Sequence, residues 1–180
     1  GTYSVTVTPT SATSANTGCL GTATASINVS QELVSNGNFS LGNTGFSTPP
    51  LFGAAAYQYY VDSPNYQREL SAPGRYGVGT NANNYNPVYQ GKDHTTGTGN
   101  FMVVRGYSFL KPMVWVDTIP VSPNTTYYFS GWAMGIDSSA ATNTPILKFA
   151  VNGTVIGNPL ILPPHRLSPT SPDVWLRFYN

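Results

Sequence analysis

Short alternating runs, each closed by a turn signal, restrict this chain more than any other feature. Arg75–Gly79 (RYGVG), Asn100–Gly106 (NFMVVRG), Met113–Ile119 (MVWVDTI), Thr125–Ile136 (TTYYFSGWAMGI), Ile146–Val151, Thr154–Gly157 and Trp175–Tyr179 (WLRFY) each read as a strand. Turn residues separate them. Asn81–Pro87 (NANNYNP) is an Asn-rich loop, Asp93–Gly99 (DHTTGTG) a tight polar turn and Ser122-Pro123-Asn124 a third break. Asn152-Gly153 is the pairing that favours a two-residue hairpin, and Asn158–Leu162 is expected to prolong its second strand. Glu32–Phe46 (ELVSNGNFSLGNTGF) predicts a short strand, an Asn36-Gly37 turn with Phe39 as anchor, and a Gly-rich turn; Leu51–Tyr60 is apolar and aromatic. Eight or nine short strands at this spacing predict an all-β chain, a sandwich or jelly roll, and no segment carries helical spacing.

Composition points the same way and removes several functions. The polar residues are mostly Thr, Ser, Asn, Gly and Tyr, which suit strands and turns, not the Lys and Glu of helix surfaces. Charged residues make up 8% of the chain, eight Lys and Arg against seven Asp and Glu, for a net charge of +1. Such a balance supplies no electrostatic footprint for nucleic acid or an anionic membrane. No apolar run is long enough to span a bilayer, so no membrane insertion is expected. With 40% apolar and 13% aromatic residues the chain can build a core. Few charges with many hydroxyls and amides predict an extracellular or cell-surface location. The chain has no initiator Met and reads as a mature or excised piece. Cys19, the single cysteine, excludes an intrachain disulfide and reads as a small buried hydrophobe.

Residues 1–30 differ from the rest. Thr2–Thr8 alternates with Tyr3, Val5 and Val7 on one face, and Thr22–Ser30 with Ala23, Ala25, Ile27 and Val29; Pro9–Gly21 connects them. Two strands cannot bury a core alone. The phrase GTYSVTVT…GCLGTATASINVS resembles the closing strands of PKD-like and immunoglobulin-like repeats in surface and secreted proteins of Bacteroidota. That resemblance implies a boundary at Gln31, with residues 1–30 as terminal strands of one repeat and 31–180 as the next module.

The second module resembles the galactose-binding-like jelly rolls, which include many carbohydrate-binding modules. LVSNGNFSLGNTGF, PVSPNTTYYFSGWA and LKFAVNGTVIG carry the resemblance, and DHTTGTGNFMVV is similar to a phrase of the MAM domains of adhesive proteins. It implies a jelly roll over about Glu32–Tyr179, with further strands after Trp175–Tyr179, so a chain ending at Asn180 is expected to lack its last strands. The resulting gap invites a strand from residues 1–30, from the same chain or from another copy, building a fibre by strand addition.

The sequence offers little for catalysis. Glu32, Asp62, Glu69, Asp93, Asp117, Asp137 and Asp173 stand in no motif that pairs two carboxylates for glycoside hydrolysis, and His94 and His165 have no nucleophile elbow beside them. A non-catalytic role follows. For carbohydrate, aromatic faces stack on sugar rings and amides satisfy hydroxyls. Trp115, Trp132 and Trp175 lie in strands and favour the core, though Trp115 is kept as a ligand candidate. The loop tyrosines Tyr57, Tyr59, Tyr60, Tyr66, Tyr85 and Tyr89 are the better platforms, with Asn84 of the Asn-rich loop supplying an amide. Their bland alternative is to cap the sandwich edges. For a cation, calcium takes six to eight oxygens, and Asp93, Thr95 and Asn38 could contribute to a structural calcium site of the kind the resemblance implies; the alternative is an Asp93 that accepts its own turn's N–H groups. The expected protein is an adhesion or carbohydrate-binding module of a large secreted or cell-surface protein. Its partners would be a glycan or cell-surface polysaccharide, neighbouring domains or other copies of itself. The competing expectation is a structural spacer or fibre subunit.

Overall fold

The computed structural model describes residues 32–50, 55–63, 70–107, 113–138, 144–165 and 173–179. They belong to one unit of the chain, Glu32–Asn180. Residues 1–31, with both N-terminal alternating runs, Cys19 and the expected boundary, lie outside them, as do Tyr66 and Glu69.

Among the described residues the regular structure is all-β apart from one short turn of 3-10 helix, Ala82–Asn84. Seven strands follow in chain order: β1 Gln58–Tyr60, β2 Arg75–Gly79, β3 Phe101–Arg105, β4 Ser130–Ala133, β5 Ile146–Val151, β6 Thr154–Ile161 and β7 Leu176–Tyr179. They form a three-stranded sheet β1-β2-β3 and two ribbons, β4-β7 and β5-β6. β1 runs parallel to β2; the other pairs are antiparallel.

The alternating runs mark most strands well. Arg75–Gly79 is a strand over its whole length, and β3 fills the interior of Asn100–Gly106. The β5-β6 hairpin turns at Asn152 and Gly153, both at positive φ (49° and 79°), and β6 continues to Ile161 as expected. Three expectations are corrected. Glu32–Phe46 is a series of turns without a strand, because Asn36 ties the segment to itself: its amide donates to the carbonyls of Gly42 and Thr44 and its oxygen accepts from the Leu41 N–H. Met113–Ile119 makes only a bridge, Val116 to Ser47. Thr125–Ile136 contracts to Ser130–Ala133, the stretch that finds a partner in β7.

The core is built on β2 and β3. Leu70, Ala82, Tyr85, Tyr89, Phe101, Val103 and Met134 form its buried cluster. In β2, Tyr76 and Val78 point to one face and Gly77 and Gly79 to the other. A Cβ on Gly77 would strike the Tyr85 ring, and one on Gly79 would stand 2.8 Å from the Tyr85 hydroxyl and collide with Asp62. The two glycines therefore open a slot on the sheet that the Tyr85 ring fills. The Asn-rich loop delivers that ring: Asn81 caps the 3-10 turn by accepting the Asn83 N–H at 3.0 Å, and Tyr85 follows directly. On the opposite face Phe46 packs against Tyr76, whose hydroxyl donates to Asn43. A second apolar cluster joins the ribbons. Phe129 stacks on Phe149 of β5 at 4.2 Å and also meets Phe178 of β7 and Trp115.

Candidate functional site

The β4-β7 ribbon has one face in the protein and one in water. Its exposure alternates residue by residue: Gly131, Ala133, Leu176 and Phe178 are partly buried, while Ser130, Trp132, Arg177 and Tyr179 are exposed. The cause is on the inner side. Phe178 reaches the Phe129–Phe149 cluster, and Gly131 leaves room for it, since a Cβ there would lie 2.8 Å from the Phe178 ring. With a period of two, burying Phe178 sends Arg177 and Tyr179 outward.

Register assembles the outer residues into one patch. Trp132 pairs with Arg177, and Ser130 with Tyr179; cross-strand partners share a face with Cβ atoms roughly 5 Å apart. Trp132 is 45% exposed and Tyr179 79% exposed. The Asp93 turn adds a fifth member. His94 lies nearly parallel to the Trp132 indole at a centroid distance of 3.8 Å and stands edge-on to Trp175 at 5.8 Å. It covers one face of Trp132 and holds the ring in place. Arg177 Nη2 makes a long contact, 3.4 Å, to Ser130 Oγ. The patch thus offers two large exposed rings, a guanidinium and a hydroxyl on a short stretch of sheet. Such surfaces can stack sugar rings and donate hydrogen bonds to their substituents.

The turn that positions His94 is knotted around a carboxylate. Asp93 accepts the N–H groups of Thr95 (2.9 Å), Thr96 (2.7 Å) and Gly99 (2.6 Å) and the Thr96 hydroxyl (3.0 Å). Desolvation pushes its pKa up, but the bonds from Thr96, Gly99 and Thr95 outweigh it, so the carboxyl titrates below the ordinary aspartate value. Both Asp93 oxygens serve the turn, Thr95 contributes its N–H to it, and Asn38 Oδ1 accepts the Ser40 N–H at 3.1 Å. This is the Asx-turn arrangement that competes with the cation reading. Among the described residues no group of three or more His, Cys, Asp or Glu side chains gathers as a metal site.

The loop tyrosines divide. Tyr85 is 0% exposed and Tyr89 3% exposed, and Tyr57 is also buried, so none of these rings presents a face to a ligand, contrary to the expectation of platforms. The reason for Tyr85 is the glycine slot in β2. Burial first, then the Asp62 charge and Tyr59, raise its hydroxyl pKa far above the usual value, and among the described residues neither Tyr85 Oη nor Asp62 Oδ1 has a hydrogen-bond partner. Tyr89 donates to the Leu70 carbonyl and accepts from Arg105. Tyr59 is 36% exposed and leans on Tyr76. Tyr60 is partly buried, under the Arg75 guanidinium at 4.6 Å. Asn84 sits half-buried in the 3-10 turn. The loop's other amides are spent internally: Asn83 donates to the Pro87 carbonyl and Asn86 accepts the Val88 N–H. Trp115 is partly buried beside Phe129. The structure therefore does not bring Tyr59, Tyr60, Tyr85, Tyr89, Asn84 and Trp115 together at one surface.

What the sequence reading missed is the outward set Trp132, Arg177 and Tyr179, with His94. Part of the signal was available in WLRFY, where Arg177 and Tyr179 share a parity opposite to Leu176 and Phe178, but Trp175 has the same parity and packs against the core through Phe101. An open hollow of about 330 Å³ lies elsewhere, lined by Ser35, Phe46, Ser47, Asp117 and Thr118 among others. Its acid already accepts the Thr118 N–H. No family model, curated protein or solved structure matches this chain.

Proposed function

We propose that this chain is a non-catalytic carbohydrate-binding or adhesion module of a secreted or cell-surface protein, built on a jelly-roll plan, with the outer face of the β4-β7 ribbon as its binding surface. The observation that carries the reading is the exposure of Trp132 and Tyr179 on one side of a ribbon whose other side is packed. Leaving large rings in water forgoes apolar burial worth roughly 1.5–3 kcal/mol each, and ligand stacking recovers it. Low charge and abundant hydroxyls support the extracellular location. A calcium ion at Asp93, Thr95 and Asn38 would have to displace the turn's own donors; unfolding midpoints with and without chelator test it.

The direct experiment is retention on a glycan array by the full chain and by Trp132→Ala. Binding to at least one glycan class, lost in the variant, supports the reading. Absence of binding to every glycan and cell-surface extract overturns it.

A second reading rests on a different observation. On the β5-β6 hairpin, Ile146 and Ile161 are register partners, as are Ala150 and Val155, and all four are exposed. Together with the inward packing of the tyrosines, these exposed apolar pairs, interrupted on β5 by Lys148, suit a fibre subunit or spacer that buries them against another copy, by strand addition or face to face. Sedimentation across a concentration series decides: a strict monomer removes this reading.

A further inference from the structure

We propose that the ribbon face selects anionic glycans, chains bearing carboxylate or sulfate-ester groups, with Arg177 reading the anion between the Trp132 and Tyr179 rings. This rests on the carbohydrate reading above and names its ligand class.

The face carries a charged donor and no charged acceptor. Hydroxyls of neutral sugars both donate and accept, so a site for them supplies acceptors as well as donors, commonly carboxylates and amide oxygens. The outer face holds Ser130, Trp132, Arg177, Tyr179 and His94, with no carboxylate and no amide side chain among them. Its one permanent charge is the guanidinium, which is exposed and, among the described residues, hydrogen-bonds only the Ser130 hydroxyl, at 3.4 Å. No carboxylate among the described residues forms an ion pair with it.

The two acids closest in sequence to the face are already committed. Asp173 faces His165 at 3.3 Å and accepts the Lys92 N–H at 3.0 Å, while Asp93 is filled by its own turn. The chain as a whole is nearly neutral, so the preference comes from this local imbalance and not from a global field. A guanidinium is a planar fork of donors that matches the two oxygens of a carboxylate or sulfate. Trp132, its cross-strand partner, and Tyr179, two residues along β7, supply stacking surface for the sugars that carry the anion.

The test uses the full chain in affinity electrophoresis or calorimetry against two matched pairs. Polygalacturonate is set against its methyl-esterified form, and a sulfated galactan against its desulfated form. The expected result is binding about tenfold tighter to the charged member of at least one pair, a preference of the size one charge-assisted fork provides. Which pair shows it distinguishes a carboxylate from a sulfate. In Arg177→Gln the charged-to-neutral ratio falls to about one, and Arg177→Lys, a point charge without the fork, gives a ratio in between. Unchanged melting curves confirm that the variants are folded. Equal affinity for charged and neutral members of both pairs overturns the inference and leaves the carbohydrate reading standing. A preference that survives in Arg177→Gln overturns it likewise. Failure to bind any of the four polysaccharides or any glycan on the array overturns the carbohydrate reading itself.

Discussion

The β1-β2-β3 sheet and the β4-β7 ribbon use the same ingredients, strand glycines and large aromatic rings, to opposite ends. In the sheet, Gly77 and Gly79 admit Tyr85 to one face of β2, while Phe46 covers Tyr76 on the other. Both faces of the strand are buried, and its rings are core. In the ribbon, Gly131 admits Phe178 on the inner side, and Trp132, Arg177 and Tyr179 are left in water outside. A glycine in a strand marks where a ring is received. Whether the neighbouring residues become core or surface depends on what lies over the second face.

The contrast between sheet and ribbon depends most heavily on Tyr85. Tyr85→Ala empties the slot over Gly77 and Gly79 and is expected to cost about 3–5 kcal/mol in denaturant unfolding. Tyr85→Phe removes a buried hydroxyl that has no partner, so it should change stability by less than about 1 kcal/mol. A large loss in the phenylalanine variant would show that the hydroxyl, and not the ring, holds the slot. Gly77→Val comes next. Its side chain collides with the Tyr85 ring, and overpacking of this kind costs about 1–3 kcal/mol. A neutral result would mean that the ring moves aside and the slot is loose.

On the ribbon the expectation reverses. Trp132→Ala gives up a half-buried ring and its stacking on His94, so it should cost about 1–2 kcal/mol, well below Tyr85→Ala, while abolishing glycan retention. A loss as large as that of Tyr85→Ala would make Trp132 a core residue and dissolve the contrast. The smallest effect is electrostatic. Because the folded Asp93 carboxyl titrates below its ordinary value of 3.8, its contribution is complete above that pH and drains as pH falls through the lower folded value. Asp93→Asn should flatten this acid limb of the melting midpoint and loosen the turn that carries His94. Parallel acid limbs in both proteins would show that other carboxyl groups govern it.

Much of the fold was legible because strands and hairpin turns are written locally. RYGVG, FMVVR and the Asn152-Gly153 hairpin follow from period-two alternation and positive-φ preference alone. The long strand expected over Thr125–Ile136 was not, because a strand lasts only while a partner lies beside it, and β7 covers four residues. The candidate site was the least legible part. Tyr85 lies in a loop rich in asparagine, which reads as surface, yet the ring is core, because the partner that buries it is a pair of glycines on β2. Trp132 lies in a strand, which reads as core, yet it faces water, because Gly131 and Phe178 fixed the register that turns it out.

Local composition and pattern set the class of structure. Few charges, strand-forming hydroxyl and aromatic residues and frequent turn signals leave an all-β chain as the consistent outcome, since each acts over a few neighbouring residues. Which aromatic rings are core and which are surface is fixed only by long-range contacts. Alternation says only that Trp132 points to one side of its strand, and it says nothing of Tyr85, which lies in a loop. What each ring meets, the slot over Gly77 and Gly79 or open solvent beyond Arg177, is set by contacts between residues far apart in sequence, and burial is a property of those contacts.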